Sequence, residues 1–392
     1  MINALSVGKN KLQIENPLQG LFADKQLLIL TAILVSIGII MVASASISFA
    51  NENYGDPWYF SRRHIIFTGL GAFACLVVAL IPLKLWRDFG WLMLIVGIAL
   101  LVLVLLIGVE INHGRRWLRL GSINIQASEL AKFCCLIFFA SYFSKWQESI
   151  RANWAAIFKP LAVLAVISAL ILAEPDLGTT AVLVMAIMAM MFIAGIRLWQ
   201  CFLMSFIALG AFALLVWQTP WRLERIKTFL DPWADQFSSG YQLSQSLIGF
   251  GRGEWFGLGL GNSIQKLFFL PEAHTDFIFS IIAEEFGFVG AIWVILVFAA
   301  LVAKAFMLAR EAINQDADFA CFIAYGVGVM IACQAFINIG VAAGFLPTKG
   351  LTLPFISYGG SSLVASMMQI GLLLRVQKEL KQPSKTLAEV QA

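Results

Sequence analysis

Apolar runs of roughly 20 residues, separated by short polar connections, recur along almost the whole chain. They cover 26–50, 65–82, 90–109, 127–143, 155–173, 177–196, 198–217, 277–302, 318–346 and 360–376. The runs are solid rather than alternating, and far longer than the ~10 residues of a barrel strand, so a transmembrane β-barrel is excluded. Helices satisfy their own backbone groups in lipid, so the pattern predicts an all-α polytopic membrane protein with about ten transmembrane helices. Composition agrees. The 392 residues are 60% hydrophobic and only 13% charged, where soluble domains run to about a quarter charged.

One connection stands apart. Between Thr219 and Thr275, joining the seventh and eighth runs, lie about 56 residues, enough to fold over a site. Trp and Phe recur through this loop, which suits a lipid–water boundary. The organisation is therefore a tail at 1–25, a membrane domain at 26–376 with its large loop at 219–275, and a second tail at 377–392. The polar residues ahead of the first run do not suit a cleaved signal peptide, so that span is expected to stay in place. All six cysteines (Cys75, Cys134, Cys135, Cys201, Cys321 and Cys333) fall inside apolar runs, which points to packing rather than disulfides.

An even number of spans puts both termini on one side. Lys9, Lys11, Lys84, Arg87, Lys145, Lys378 and Lys381 assign that side to the cytoplasm. The opposite side nonetheless carries Arg62, Arg63, Arg115, Arg116, Arg119, Arg222, Arg225, Lys227, Arg252, Lys266 and Lys349. So much positive charge outside opposes the usual bias and calls for an anionic ligand.

Ionisable groups at the edge of a span are expensive to desolvate and mark a site by default. The segment FLPEAHTDFIFSIIAEEFGFVG, residues 269–290, sets Glu272, His274 and Asp276 at the mouth of a span that then carries Glu284 and Glu285. Asp276 is the first candidate. Glu129 and Lys132 enter the fourth span three residues apart, which puts opposite charges on one helical face, as an ion pair or as ligand contacts. EPDLGT at 174–179 reads as a turn and a helix cap. The stretch 344–362 holds prolines, glycines and hydroxyls, so its backbone cannot run as simple helix and belongs beside a cavity. Lys349 is its sole cation and reads as ligand-facing. GLGLG at 257–261 lacks the strand and the GK[ST] of a phosphate loop. Ser263-x-x-Lys266 lacks the companion elements of a penicillin-binding nucleophile. His64, His113 and His274 lack the spacing of a zinc site.

The strings GRRWLRLG with IQASELAK, EPDLGT, PEAHTDFIF and LPTKGLTLPFISYGGSS resemble, in order, the SEDS family (shape, elongation, division and sporulation). FLDPWADQFSSGYQLSQSL and GLGLGNSIQK are more similar to its division branch than to its elongation branch. The resemblance implies a peptidoglycan glycosyltransferase of the bacterial inner membrane, with both termini cytoplasmic, working at the division septum. Such enzymes polymerise lipid II at the periplasmic face, in complex with a class B penicillin-binding transpeptidase and other membrane proteins of the division machinery; no nucleic acid is implied. The family's catalytic aspartate falls on Asp276, its RW arginine on Arg116, its paired Glu and Lys on Glu129 and Lys132, and its loop lysine on Lys349. Ala127 departs from the family, which commonly has Pro there.

The chemistry fits these residues. A sugar hydroxyl must attack an anomeric carbon while lipid diphosphate departs, and a positioned carboxylate is needed to take the hydroxyl proton. Asp276 is the expected general base. Arg116 and Lys349, with Arg63 or Arg252, are expected to hold the diphosphate as its charge develops. A divalent cation could draw oxygens from Glu272 and Asp276. Two other readings use the same features: a flippase that moves lipid II across the membrane, and a noncatalytic scaffold for division proteins.

Overall fold

Each predicted apolar run folds as a helix. In a computed structural model of the protein, residues 25–381 are described, apart from 112, 113, 122 and 349. The chain runs α1 (Gln26–Tyr54), α2 (Tyr59–Leu80), the short α3 (Leu83–Asp88) and α4 (Gly90–Ile107). Three strands follow, β1 (Val109–Ile111), β2 (Gly114–Leu120) and β3 (Ile123–Gln126), and then α5 (Ala127–Ala152), α6 (Phe158–Ala173), α7 (Leu177–Ala194) and α8 (Leu198–Trp217). The large loop carries α9 (Pro220–Leu230) and α10 (Tyr241–Gly253), and the chain closes with α11 (Ile278–Asn314), α12 (Asp318–Ala342) and α13 (Gly360–Lys381). Among the described residues, 8 helices are long and apolar enough to cross a membrane, and α8 is apolar over the shorter stretch Leu198–Leu214. α13 is less apolar, yet most of it is buried against α2 and the bundle.

α5 and α12 form the centre: 78% of each span is buried, against 22% of α4. Around them α11 packs on α12, α4 on α5, α7 on both central helices, and α1 on α11. Local chemistry sets the ends. Gly55 closes α1 in the left-handed region, its N–H bonding Asn51 O at 3.0 Å. Asp176 caps α7 by accepting from Thr179 N at 3.0 Å, as EPDLGT predicts. All six cysteines are free.

The three strands depart from the all-helical expectation. They form an antiparallel sheet in the order β1-β2-β3, with Trp117 opposite Gln126 and Leu118 opposite Ile125. Strand alternation sends Arg115, Trp117 and Arg119 to one face and Arg116 and Leu118 to the other. Leu118 is buried with Val104 of α4 and Ala127 of α5, which turns Arg116 toward the bundle.

The second departure is a break in α11. Its 37 residues would span ~55 Å at about 1.5 Å each, well beyond a ~30 Å hydrocarbon core. The helix is interrupted at Gly287 (φ 69, ψ -168). Phe288 N and Val289 N turn from helical partners to Glu254 O and Trp255 O at 2.9 and 3.1 Å. Glu284 O and Glu285 O in turn accept from Leu258 N and Gly259 N, both at 3.0 Å. These four backbone groups at the break thus find partners in the Gly-rich stretch, as burial in lipid demands. Side chains complete the repair. Glu284 pairs with Arg252 at 3.2 Å and accepts from Ser263 Oγ and from Ile264 N at 3.1 Å. Glu285 pairs with Lys266 at 2.8 Å and accepts from Ser44 Oγ at 2.7 Å. GLGLG and Ser263-x-x-Lys266 therefore belong to this junction.

A Cβ on Gly287 would lie 2.4 Å from Gly257 N, and one on Gly257 would lie 2.2 Å from Glu285 O. Both positions also have positive φ. Gly287→Ala or Gly257→Ala should therefore cost well over the ~1–2 kcal/mol of a left-handed residue alone. Gly261→Ala has positive φ but open space around it, and should cost only about that amount. Thermal unfolding of the three variants in detergent checks the order; equal losses would mean that close packing at the break contributes nothing.

Candidate active site

Asp276 lies just ahead of α11, in a turn built by Glu272. Glu272 adopts φ 57, its carbonyl accepts from Thr275 N at 3.1 Å, and its carboxylate accepts from Thr275 Oγ1 at 2.7 Å. A non-glycine residue in that region stores strain that the surroundings must hold in place. The stretch 350–359 does so. Tyr358 N donates to His274 O at 3.0 Å, and Ser357 Oγ donates to Thr275 O at 2.6 Å. A Cβ on Gly350 would stand 3.1 Å from Asp276 Oδ2, so this irregular backbone passes directly beside the carboxylate.

α12 ties the two segments together from below. Asn338 Nδ2 donates to Asp276 O at 2.8 Å and to Leu351 O at 2.6 Å. One turn away, Gln334 Nε2 donates to Thr352 O at 3.2 Å, while its Oε1 accepts from Lys132 Nζ at 3.0 Å. Lys132 in turn pairs with Glu129 at 3.0 Å, both buried in the bundle centre. The predicted pair exists, and it underlies the loop that supports Asp276.

Two arginines close the site. Arg116 Nε donates to Glu174 O and its Nη2 to Pro175 O, each at 2.8 Å, so strand β2 clamps the turn before α7. Arg225 of α9 donates to Thr348 O at 3.2 Å. Asp176 is occupied as the α7 cap and also accepts from Ser128 Oγ at 3.2 Å. Glu174 is different: it is buried, and neither carboxylate oxygen has a hydrogen-bond partner. Burial, with the charge of Asp176 beside it, pushes its carboxyl up to about 8 despite Arg116.

The Asp276 carboxyl keeps some exposure while protein crowds around it. That burial, reinforced by the negative charges of Glu272 and Asp176, raises it from 3.8 to about 7; Arg116 and Arg225 pull the other way. A carboxylate ionising near neutrality within the field of two guanidiniums can accept a proton next to a polyanion. His274 is packed among the rings of Phe49, Phe60 and Tyr358, and burial lowers its pKa, so it stays uncharged at neutral pH. Among the described residues no group of three or more His, Cys, Asp or Glu could hold a metal ion.

Arg116, Asp276, Glu129 and Lys132 are thus connected through direct charge effects or through α12 and its loop. Arg252 is placed elsewhere, at the α11 break with Glu284. Arg63 lies over the Tyr59 ring, 4.5 Å from its centroid. Lys349 lies outside the described residues, as does His113. Sequence reasoning missed the supporting roles of Gln334 and Asn338, whose i, i+4 spacing inside an apolar span was a usable signal. It also counted Arg225 only as one outer cation among many and read Glu174 only as part of a turn.

A family model described as "Cell cycle protein", covering FtsW, RodA and SpoVE, matches residues 25–382. The chain is 51% identical over 359 residues to a probable peptidoglycan glycosyltransferase FtsW of Saccharophagus degradans, covering 91% of this chain and 93% of that one. It is 48% identical to the same-named protein of Halomonas elongata, covering 92% of each. A solved chain described under "Structural coordination of polymerization and crosslinking by a peptidoglycan synthase complex" superposes with a TM-score of 0.72 at 29% identity, over 92% of this chain and 98% of that one. The rod shape determining protein RodA of Thermus thermophilus superposes at 0.66 with 25% identity, over 91% and 97%.

Proposed function

The chain belongs to the FtsW, RodA and SpoVE family of cell cycle proteins, and on that premise we propose that it is a peptidoglycan glycosyltransferase polymerising lipid II for the septal wall. The arrangement that carries the proposal is the Asp276 carboxyl, set against Gly350 of the irregular stretch, raised toward neutrality by burial and acted on by Arg116 and Arg225. In this reading Asp276 takes the proton of the acceptor sugar hydroxyl as that oxygen attacks the anomeric carbon of a second lipid II. The bond to the lipid diphosphate breaks, and negative charge grows on its oxygens. Arg116, Arg225 and Lys349 stabilise that charge. A diphosphate leaves without protonation, so no second acid is required. Lys132, neutralised by Glu129 on α5, donates to Gln334 of α12 and so keeps the two helices in register beneath the site.

The protein spans the membrane many times. We place the Asp276 face in the periplasm and both termini in the cytoplasm, with a class B penicillin-binding transpeptidase as partner. A flippase needs a polar path through the bilayer. Here the charges at the bundle centre are bonded to one another, Lys132 to Glu129 and Gln334. The test is purified protein with its partner and labelled lipid II in detergent, where polymer can form and transport has no meaning. Glycan chains support the enzyme; none in detergent, with lipid II crossing vesicle membranes, supports the flippase.

Arg116 gives a separable prediction. Arg116→Ala removes a diphosphate contact and the clamp on Glu174 and Pro175. Losing a charge-assisted hydrogen bond worth ~1.5–3 kcal/mol should lower kcat/KM by roughly 10- to 100-fold. Arg116→Lys should recover only part, because it keeps the charge without the fork. Turnover at limiting lipid II checks this, and a parental kcat/KM for Arg116→Ala contradicts it.

A further inference from the structure

At the end of α1 and the start of α2 stands a group of rings that the mechanism above leaves unused. Tyr54 stacks face to face on Tyr59, centroids 4.0 Å apart and planes 8° from parallel. Trp58 is 54% and Tyr54 52% exposed. Asp56 holds their turn by accepting from Trp58 N at 3.1 Å and by pairing with Arg62. Phe60 connects this ledge to the site: it meets Tyr59 edge-on at 5.2 Å and lies 4.6 Å from the His274 ring, two residues before Asp276.

Exposed rings near a membrane often belong to a headgroup girdle. The surroundings argue otherwise. On α2 the exposed apolar side chains begin at Ile65 and Ile66, beyond Arg62 and Arg63. Ile65 follows Trp58 by seven positions, about 10 Å along a helix, so the ledge stands on the water side of the apolar band. Flat rings interleaved with a carboxylate and guanidiniums match a pyranose, which offers an apolar C–H face and a rim of hydroxyls and amides.

Resting on the polymerase reading, we propose that Tyr54 and Trp58, with Asp56 and Arg62 at their edge, bind the glycan strand beside Asp276. The ledge takes β-linked amino-sugar units adjacent to the pair that reacts. A strand held there stays at high effective concentration between additions, so the ledge sets product length rather than the rate of a single coupling.

The experiment has two readouts. In the polymerisation assay Trp58→Ala and Tyr54→Ala should make strands about two- to fivefold shorter, with the first coupling within about twofold of parental. Trp58→Phe, which keeps a flat ring, should restore most of the length. In parallel, saturation-transfer NMR with chitotetraose, a soluble β-linked amino-sugar tetramer without lipid or diphosphate, should report contact with the parental protein and with Asp276→Asn. Contact should be lost in Trp58→Ala. Parental strand length in Trp58→Ala, or unchanged chitotetraose contact, overturns the ledge. Shortening by Trp58→Ala and Trp58→Phe alike also overturns it, pointing to a partner or lipid contact. If the parental protein makes no polymer, the polymerase reading fails by itself, and chitotetraose contact still reads out the ledge.

Discussion

Asp276→Asn should abolish polymer formation from lipid II while leaving a protein that inserts, folds and holds its transpeptidase. Asparagine keeps the size and can occupy the same turn, whose bonds run through the backbone oxygens of Asp276, Thr275 and His274. It cannot accept the hydroxyl proton, and losing a general base costs about 10²–10⁴ in rate. Folding should not suffer. The folded carboxyl ionises at about 7 against an ordinary 3.8, so the unfolded chain sheds its proton first and parental stability falls as pH rises between those values. An asparagine side chain does not ionise, so the variant escapes that loss and should melt no lower than the parent above neutrality. Asp276→Glu should recover little activity, because one added methylene misdirects the carboxylate beside Gly350. If Asp276→Asn turns over at the parental rate, Glu272 becomes the candidate base.

The second large effect concerns the bundle centre. Glu129→Gln and Lys132→Met should each cost roughly 3–5 kcal/mol, because either leaves a buried charge without its counterion. The pair is 3.0 Å apart with almost no exposure, so water cannot enter to compensate. Lys132→Met also leaves Gln334 Oε1 without its donor, which loosens the side chain that supports Thr352. The double variant should be more stable than either single one, since two neutral side chains leave no unpaired charge. Thermal unfolding in detergent gives the cycle. Additive losses in the double variant would mean that the two residues act separately.

The spans were readable because lipid forces solid apolar runs, and every predicted run is a helix in the fold. The sheet was not. Its longest strand has 7 residues and depends on Leu118 packing against Val104 and Ala127, a tertiary contact with no local signature. The break in α11 was hidden for a similar reason: within an apolar run Gly287 differs little from other glycines until the Gly-rich stretch meets it. At the site, Asp276, Arg116 and the Glu129–Lys132 pair stood out because charge is rare in or beside such runs. That rule marks cost, and says nothing about which charge meets which. Sequence favours Arg252 over Arg225 as a diphosphate ligand, yet Arg252 pairs with Glu284 at the break, while Arg225 acts on Asp276.

In the proposed mechanism Asp276 is the base whose ionisation near neutrality drives glycosyl transfer. The initial rate of polymer formation at saturating lipid II, followed from about pH 5.5 to about pH 8.5, tests it directly. A base works only when deprotonated, so the parental rate should climb with pH along a limb centred at about 7. Asp276→Asn should leave a flat residual rate. A parental limb that survives in Asp276→Asn would place the proton acceptor elsewhere and contradict the account.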